Sequence, residues 1–266
     1  MKIQGVILDW AGTTIDYGCF APLAAFIKAY ENKGIAVTAE EARKPMGMLK
    51  RDHMQAIGEM DNVARQWQEK YGRPINDADL DEMYADFEQL LFSVLRDYAK
   101  PIPGAVELVS RLRQQGIKVG STTGYTMEMM MIVAEEAKKN GYSPDCLVTP
   151  DEVPAGRPYP WMCYENAIRL DLYPMKHVVK AGDTISDVRE GINAGAWSVG
   201  ILKGSNELGM TEAEVQAGDS AELAAKLEEI KQRYLDAGAH YVIETIGDLD
   251  QVIEQINDRL AKGDRP

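Results

Sequence analysis

Three cysteines in 266 residues, Cys19, Cys146 and Cys163, are too scattered and odd in number for a disulfide framework, and they show no metal-ligand spacing. Sparse thiols of this kind suit a reducing compartment. Long apolar runs are missing as well. The N-terminal one ends on Asp9, so it reads as neither a signal peptide nor a membrane span, and no other segment is long enough to cross a bilayer. Positive charge is short: 29 Lys and Arg stand against 42 Asp and Glu, a formal net charge of −13. That excess disfavours a nucleic-acid backbone or an anionic membrane as partner. An anionic small substrate stays open, provided that cations or a metal gather where it binds. No internal repeat or low-complexity tract occurs. What remains is a globular protein, expected in the cytoplasm, long enough to bury a substantial core.

The pattern within that chain is α/β. Short β-rich runs recur at 2–8, 117–122, 145–148, 177–181 and 197–201, and helical patterns at 127–140, 159–170 and 185–194 separate most of them. Such alternation predicts βαβ units on a parallel, Rossmann-like sheet. Residues 20–98 differ, with no convincing strand and several helix signals: Pro22 suits a first turn, Gly72 a stop, and 79–99 a long amphipathic helix. The reading is a core of residues 1–19 and 99–266 with a helical cap, 20–98, inserted after the first strand. Its two joints are Asp16-Tyr17-Gly18 and Lys100-Pro101-Ile102-Pro103-Gly104, a pair suited to hinge motion. The methionine run 127–131 reads as core packing. The tail from Ala221 reads as peripheral helices around a short strand at 241–243, without chemistry.

Chemistry concentrates at strand ends. Val6-Ile7-Leu8-Asp9 carries a carboxylate to the carboxyl end of the first strand, where open α/β sheets place their sites, and Gly12 and Thr13 follow with free backbone N–H groups. Ser121-Thr122-Thr123-Gly124-Tyr125 offers hydroxyls and a glycine turn for phosphoryl oxygens. Gly156-Arg157-Pro158 supplies a cation at the opening of a helix, and Ala181-Gly182-Asp183-Thr184-Ile185-Ser186-Asp187 ends another strand on a carboxylate with a second four residues on. Each segment alone reads equally as a turn, cap or salt bridge. Their order and placement together predict a site.

This constellation resembles the haloacid dehalogenase superfamily over the core. The resemblance implies that Asp9 attacks phosphorus and that Asp9, the Ala11 carbonyl and Asp183 bind Mg²⁺, with Asp187 behind them. Phosphatases of that superfamily usually carry a second Asp two residues after the nucleophile; here that residue is Ala11, so the usual general acid is missing. A lysine forming a Schiff base would let a carbon leaving group depart without it, and Lys50, among apolar residues with His53 one turn on, offers one.

Longer motifs carry the likeness further. Asp-Trp-Ala-Gly-Thr-Thr at 9–14, Asp-Tyr-Gly-Cys-Phe-Ala-Pro at 16–22, Arg-Lys-Pro-Met-Gly at 43–47 with Lys50 beyond, Gly-Ser-Thr-Thr-Gly-Tyr-Thr at 120–126 and Val-Pro-Ala-Gly-Arg-Pro-Tyr-Pro-Trp-Met-Cys at 153–163 resemble the phosphonatase family along nearly the whole chain. That likeness implies cleavage of the C–P bond of phosphonoacetaldehyde in phosphonate degradation, with a Schiff base on Lys50 and an aspartyl-phosphate on Asp9. It further implies that Thr123, Gly124 and Arg157 hold the phosphonate, that His53 relays protons or else is structural, that Met46 and Tyr125 line or close the site, that Cys19 tunes the lysine or else is a buried small hydrophobe, and that the cap pairs two subunits around 84–95. His177 and His240 are expected to be structural. The competing expectations are a haloacid dehalogenase, which needs neither the lysine nor the metal, and a non-catalytic binder of a phospho-ligand.

Overall fold

The computed structural model describes residues 2–218 and 221–266. Six parallel strands, β1 (Gly5–Leu8), β2 (Lys118–Thr122), β3 (Cys146–Val148), β4 (Val178–Gly182), β5 (Trp197–Ile201) and β6 (Tyr241–Ile243), form one sheet in the order β3-β2-β1-β4-β5-β6. β1, β4 and β5 are buried at every residue, because a parallel sheet covered on both faces leaves no polar side to alternate with. β1 lies between β2 and β4, where the winding reverses direction. A crevice at the carboxyl ends of strands is a property of that arrangement, and it determines where the site lies.

The α/β reading holds, with β5 at its expected bounds and the four strands before it starting one to three residues later than expected: β1 begins at Gly5, and the Ile3 and Gln4 N–H groups go to Asn257 and His177. The methionine run is corrected in part. Met129 and Met130 are buried on α7 (Met127–Lys139), whereas Met131 is 69% exposed, as the helical period requires of its next residue. The remaining core helices are α6 (Ala105–Gln114), α8 (Trp161–Arg169), α9 (Ile185–Asn193), α10 (Glu212–Ala217), α11 (Ala221–Asp236) and α12 (Leu249–Ala261). None is long and apolar enough to cross a membrane.

Between β1 and β2 the described chain is helical: α1 (Ala21–Asn32), α2 (Ala39–Arg43), α3 (Lys50–Gly58), α4 (Asp61–Tyr71) and α5 (Asp77–Val94). Their ends follow local rules. Pro22 sits in the first turn of α1, Thr38 with Glu41 and Asn76 with Asp79 form capping boxes, and Gly72 ends α4 in the left-handed conformation. Phe26 of α1 stacks on Phe87 of α5 with ring centroids 4.2 Å apart, joining the longest two. This helical cap returns to the core where it left: Ile102 N–H donates to Thr14 and Asp16 N–H to Lys100, so the two crossings lie side by side. The Asp16 carboxylate accepts from the Phe20 and Ala21 N–H groups at 3.0 Å each, holding the entry to α1.

Candidate active site

Asp9 follows β1 directly, and its N–H still pairs with the Ala181 carbonyl of β4. The chain then turns tightly, with the Thr13, Thr14 and Ile15 N–H groups all directed at the Trp10 carbonyl and the Gly12 N–H at the Ile15 carbonyl, so the Gly12 and Thr13 N–H groups expected to be free are spent within the turn. Gly12 has φ 89°, and a Cβ there would fall on the Asp183 carboxylate, so glycine is required both by backbone and by space. Thr13 Oγ1 donates to Asp183 Oδ1 at 2.8 Å, linking the end of β1 to the residue just after β4. Thr184 caps α9 through the Asp187 N–H and donates its own hydroxyl to Asp187 Oδ2 at 2.6 Å. Asp9, Asp183 and Asp187 are thereby brought together, all buried, with oxygens within 4.8 Å of one another.

A cation network backs this cluster. Arg157, fully buried in the turn before α8, reaches Asp9 at 2.5 Å, Glu190 at 3.0 Å and Asp187 at 3.2 Å, and donates to Thr122 Oγ1 at 2.7 Å. The helix starts at Trp161, four residues after Arg157, so this arginine precedes the helix and does not open it. Lys180, inside β4, meets Asp187 at 2.5 Å and Glu190 at 3.4 Å. Neither Lys180 nor Glu190 is singled out by the sequence reading. A lysine within an apolar strand run, and a Glu three residues after Asp187 on one helix face, were the available signals.

Four carboxylates (Asp9, Asp183, Asp187, Glu190) face two cations (Arg157, Lys180), leaving two formal negative charges in a buried site. Burial and the neighbouring Asp9 and Asp187 push the Asp183 carboxyl well above the usual range, whereas Arg157 and Lys180 hold Asp187 below it against the penalty of burial. Burial raises Asp9, opposed chiefly by Arg157. Hard oxygen donors with an uncompensated double negative charge fit a divalent cation such as Mg²⁺.

Lys50 opens α3 and turns into a small cavity, about 20 Å³, against the aspartate cluster. The cavity is lined by Asp9, Ala11, Cys19, Met46, Gly47, Lys50, Thr123, Gly124, Tyr125, Arg157 and Thr184. Lys50 is buried, lies 4.9 Å from the Tyr125 ring centre and 3.9 Å from Met46 Sδ, and has no carboxylate within 4.0 Å among the described residues. Burial lowers its pKa, with the Arg157 charge acting in the same sense and the Asp9 and Asp16 charges opposing it. Burial also pushes the Cys19 thiol well above its ordinary value, so it carries no charge to offset this at neutral pH. Gly124 lets the backbone of the cap approach: a Cβ there would stand 2.7 Å from the Met48 carbonyl.

The residues expected at the site thus converge, with one exception in detail. His53 does not line the cavity. Its ring is buried and stacked on Phe26 at 3.9 Å, and Nε2 donates to the Ala42 carbonyl at 2.8 Å. Burial and the nearby Lys50 hold it well below the usual histidine range, so it is neutral. His240 accepts from the Ser198 N–H and packs edge-on to Trp197, a structural role. Gly47 and Thr184 are lining residues that the sequence reading does not name as such.

A strand-end carboxylate cluster on this sheet, with a helical cap entering after β1, defines a class of hydrolase. A family model of haloacid dehalogenase-like hydrolases matches residues 3–195. Over 256 residues, 96% of this chain and 97% of each relative, the chain is 59% identical to the phosphonoacetaldehyde hydrolase of Bacillus cytotoxicus and 57% identical to that of a Bacillus cereus strain. The chain belongs to the haloacid dehalogenase-like hydrolases and, within them, to the phosphonoacetaldehyde hydrolase family. Among solved structures, a phosphonoacetaldehyde hydrolase-like protein from Oleispira antarctica superposes with a TM-score of 0.97 at 38% identity, covering 100% of this chain and 96% of that one. A β-phosphoglucomutase from Clostridium difficile, at 15% identity and a TM-score of 0.68 over 97% of this chain and 99% of that one, shares the fold.

Proposed function

We propose that this enzyme hydrolyses the C–P bond of phosphonoacetaldehyde to acetaldehyde and phosphate, in the cytoplasmic breakdown of phosphonates such as 2-aminoethylphosphonate. One observation carries the reading: a buried lysine without a carboxylate partner opens onto the same small cavity as the strand-end Asp9. Family membership supports it, as does Ala11, which leaves no acid to protonate an alkoxide leaving group.

Lys50 enters as the neutral amine, favoured by burial and by Arg157. It adds to the aldehyde, water leaves, and an iminium forms. Asp9 then attacks phosphorus; the C–P bonding pair moves into the iminium and yields an enamine, while the phosphoryl group passes to the Asp9 carboxylate. Protonation of the enamine carbon and hydrolysis of the iminium release acetaldehyde and free Lys50. Water attack on the aspartyl-phosphate releases phosphate and restores Asp9. Thr123, the Gly124 backbone and Arg157 bind the phosphonate oxygens, and Arg157 holds Asp9 in line. Met46, Tyr125 and Cys19 exclude water and keep Lys50 in a medium that disfavours its charge. His53 acts from behind α3 by fixing the helix through Ala42 rather than by contact with substrate.

Asp9, Asp183 and the Ala11 carbonyl would hold Mg²⁺, with Asp187 beside them, and the ion would supply positive charge against the phosphonate and the developing phosphoryl group. Two copies pair through the cap, with the α5 face around Tyr84 and Phe92 as the contact. The test of the activity is release of acetaldehyde and phosphate in equal amounts from phosphonoacetaldehyde with Mg²⁺. Phosphate release from ordinary phosphomonoesters at a comparable rate, with none from the phosphonate, overturns the reading.

A further inference from the structure

Arg43 closes α2, and its side chain crosses from the cap to the core. Nη1 donates to the Gly18 carbonyl at 2.7 Å, to the Asn206 carbonyl at 3.3 Å and to Asn206 Oδ1 at 3.1 Å. Asn206 returns the contact: its Nδ2 donates to the Arg43 carbonyl at 3.1 Å. The pair is therefore joined side chain to backbone in both directions. The guanidinium also lies over the Phe20 ring at 4.9 Å, and Gly209, with φ 63°, leaves it room, since a Cβ there would stand 2.9 Å from Arg43 Nε. The far side of Asn206 faces the reaction centre. Its backbone N–H donates to Asp183 Oδ2 at 2.8 Å, and the other Asp183 oxygen accepts from Thr13.

One chain of hydrogen bonds thus runs from the last residue of a cap helix, through the loop after β5, to a carboxylate of the acidic cluster. We infer that Arg43 and Asn206 are positioning residues that latch the cap onto the core and tie the latched state to the seating of Asp183. Neither touches the cavity, so they act through other groups: Arg43 by holding the linker at Gly18, Asn206 by holding Asp183. The inference rests on the phosphoryl-transfer reading of Asp9 and Asp183, because a latch matters to turnover only if the closed cap brings Lys50 to that cluster. Lysine at 43 keeps the charge but not the planar guanidinium that meets the Gly18 and Asn206 acceptors while lying over the Phe20 ring.

Cys19 reports the latch without any turnover. It is buried in the linker and lines the cavity under the cap, whereas Cys146 is half-buried on β3 and Cys163 is buried on α8. The experiment is timed N-ethylmaleimide alkylation of the Mg²⁺-loaded protein, read per cysteine by peptide mass mapping, in wild type, Arg43→Ala, Arg43→Lys and Asn206→Ala. A weakened closed state should expose Cys19 about tenfold faster in each variant, with Cys146 and Cys163 unchanged and Arg43→Ala/Asn206→Ala no faster than the single changes. KM for phosphonoacetaldehyde should rise by about the same factor with kcat within about twofold of wild type. Cys19 protection equal to wild type in all variants overturns the latch. A rise shared by all three thiols overturns it too, because the pair would then hold the fold and not the cap. Wild type inert toward phosphonoacetaldehyde would remove the activity reading and leave the Cys19 result standing.

Discussion

In the proposed reaction Lys50 and Asp9 divide the work between them, and each sits in a different environment. Lys50 is buried, and the loss of water disfavours its charge; Asp9 is held by Arg157, which favours the carboxylate. Lys50→Arg keeps a cation there but cannot form an imine, so turnover should fall by at least about 10³-fold with folding intact by circular dichroism. Asp16 gives a pH dependence of another kind. Burial raises its carboxyl to about 6, against an ordinary 3.8, despite the two N–H groups it caps. Because the folded-state value is raised, the folded protein holds a proton there that the unfolded chain has lost between pH 4 and 6. Its contribution is therefore favourable below pH 4 and is lost as pH rises through 6. Relative to Asp16→Asn, wild type should lose about 2 kcal/mol of unfolding free energy across that window, measured by urea denaturation at each pH. A constant difference between the two would show that Asp16 ionises freely.

Residues differed in how plainly the sequence disclosed them. Asp9 and Asp183 stand at the ends of apolar runs, where a parallel sheet delivers its chemistry, and Arg157 sits between glycine and proline, so their types and places are readable; Lys50 is readable only through the acid missing at Ala11 and the family motifs around it. Lys180 is not readable in that way. Its partners lie seven and ten residues on, and only the β4-to-α9 turn, folding a period-2 segment against a period-3.6 one, brings the ammonium to Asp187 and Glu190. His53 shows the converse. Helical spacing put it near Lys50 in sequence, but three residues turn a helix by less than one circuit, and the ring packs on Phe26 with its N–H spent on Ala42.

At the level of elements, the first strand, the cap insertion and the turn after β4 are legible because apolar runs, capping residues and Gly/Pro joints mark their ends. The reciprocal contact between α2 and the loop after β5 is not, since nothing local relates Arg43 to a residue 163 positions away. The pairing of β4 with α9 carries a stability consequence. Lys180→Met leaves Asp187 and Glu190 with one cation, Arg157, in a buried site. Breaking a buried ion pair in this way costs about 3–5 kcal/mol. Guanidinium denaturation should show that loss, and added Mg²⁺ should recover part of it by binding the cluster. A Lys180→Met protein as stable as wild type would mean that the network contributes nothing net.

For the whole molecule, a net charge of −13 is reconciled with an anionic substrate by confining cations to one place: Arg157, Lys180 and the metal that the aspartate cluster suits. The fold encloses that place between the carboxyl edge of the sheet and a cap entering and leaving at adjacent crossings. The proposed pairing through α5 makes a further expectation: sedimentation equilibrium at micromolar protein should give twice the 29.5 kDa chain mass, and Tyr84→Glu with Phe92→Glu should give the single-chain mass with fold retained. A wild-type chain at the single mass would remove the dimer.

The most direct test of the central claim is borohydride reduction of the protein with phosphonoacetaldehyde, followed by peptide mass mapping, in wild type and Asp9→Ala. The account predicts a reduced two-carbon adduct on Lys50 in wild type, with loss of activity. It predicts an adduct on Lys50 that keeps the phosphonate in Asp9→Ala, where imine formation survives and C–P cleavage does not. An active wild-type protein that yields no adduct on Lys50 would contradict the account and return the Asp9 cluster to phosphate esters or haloacids as its substrates.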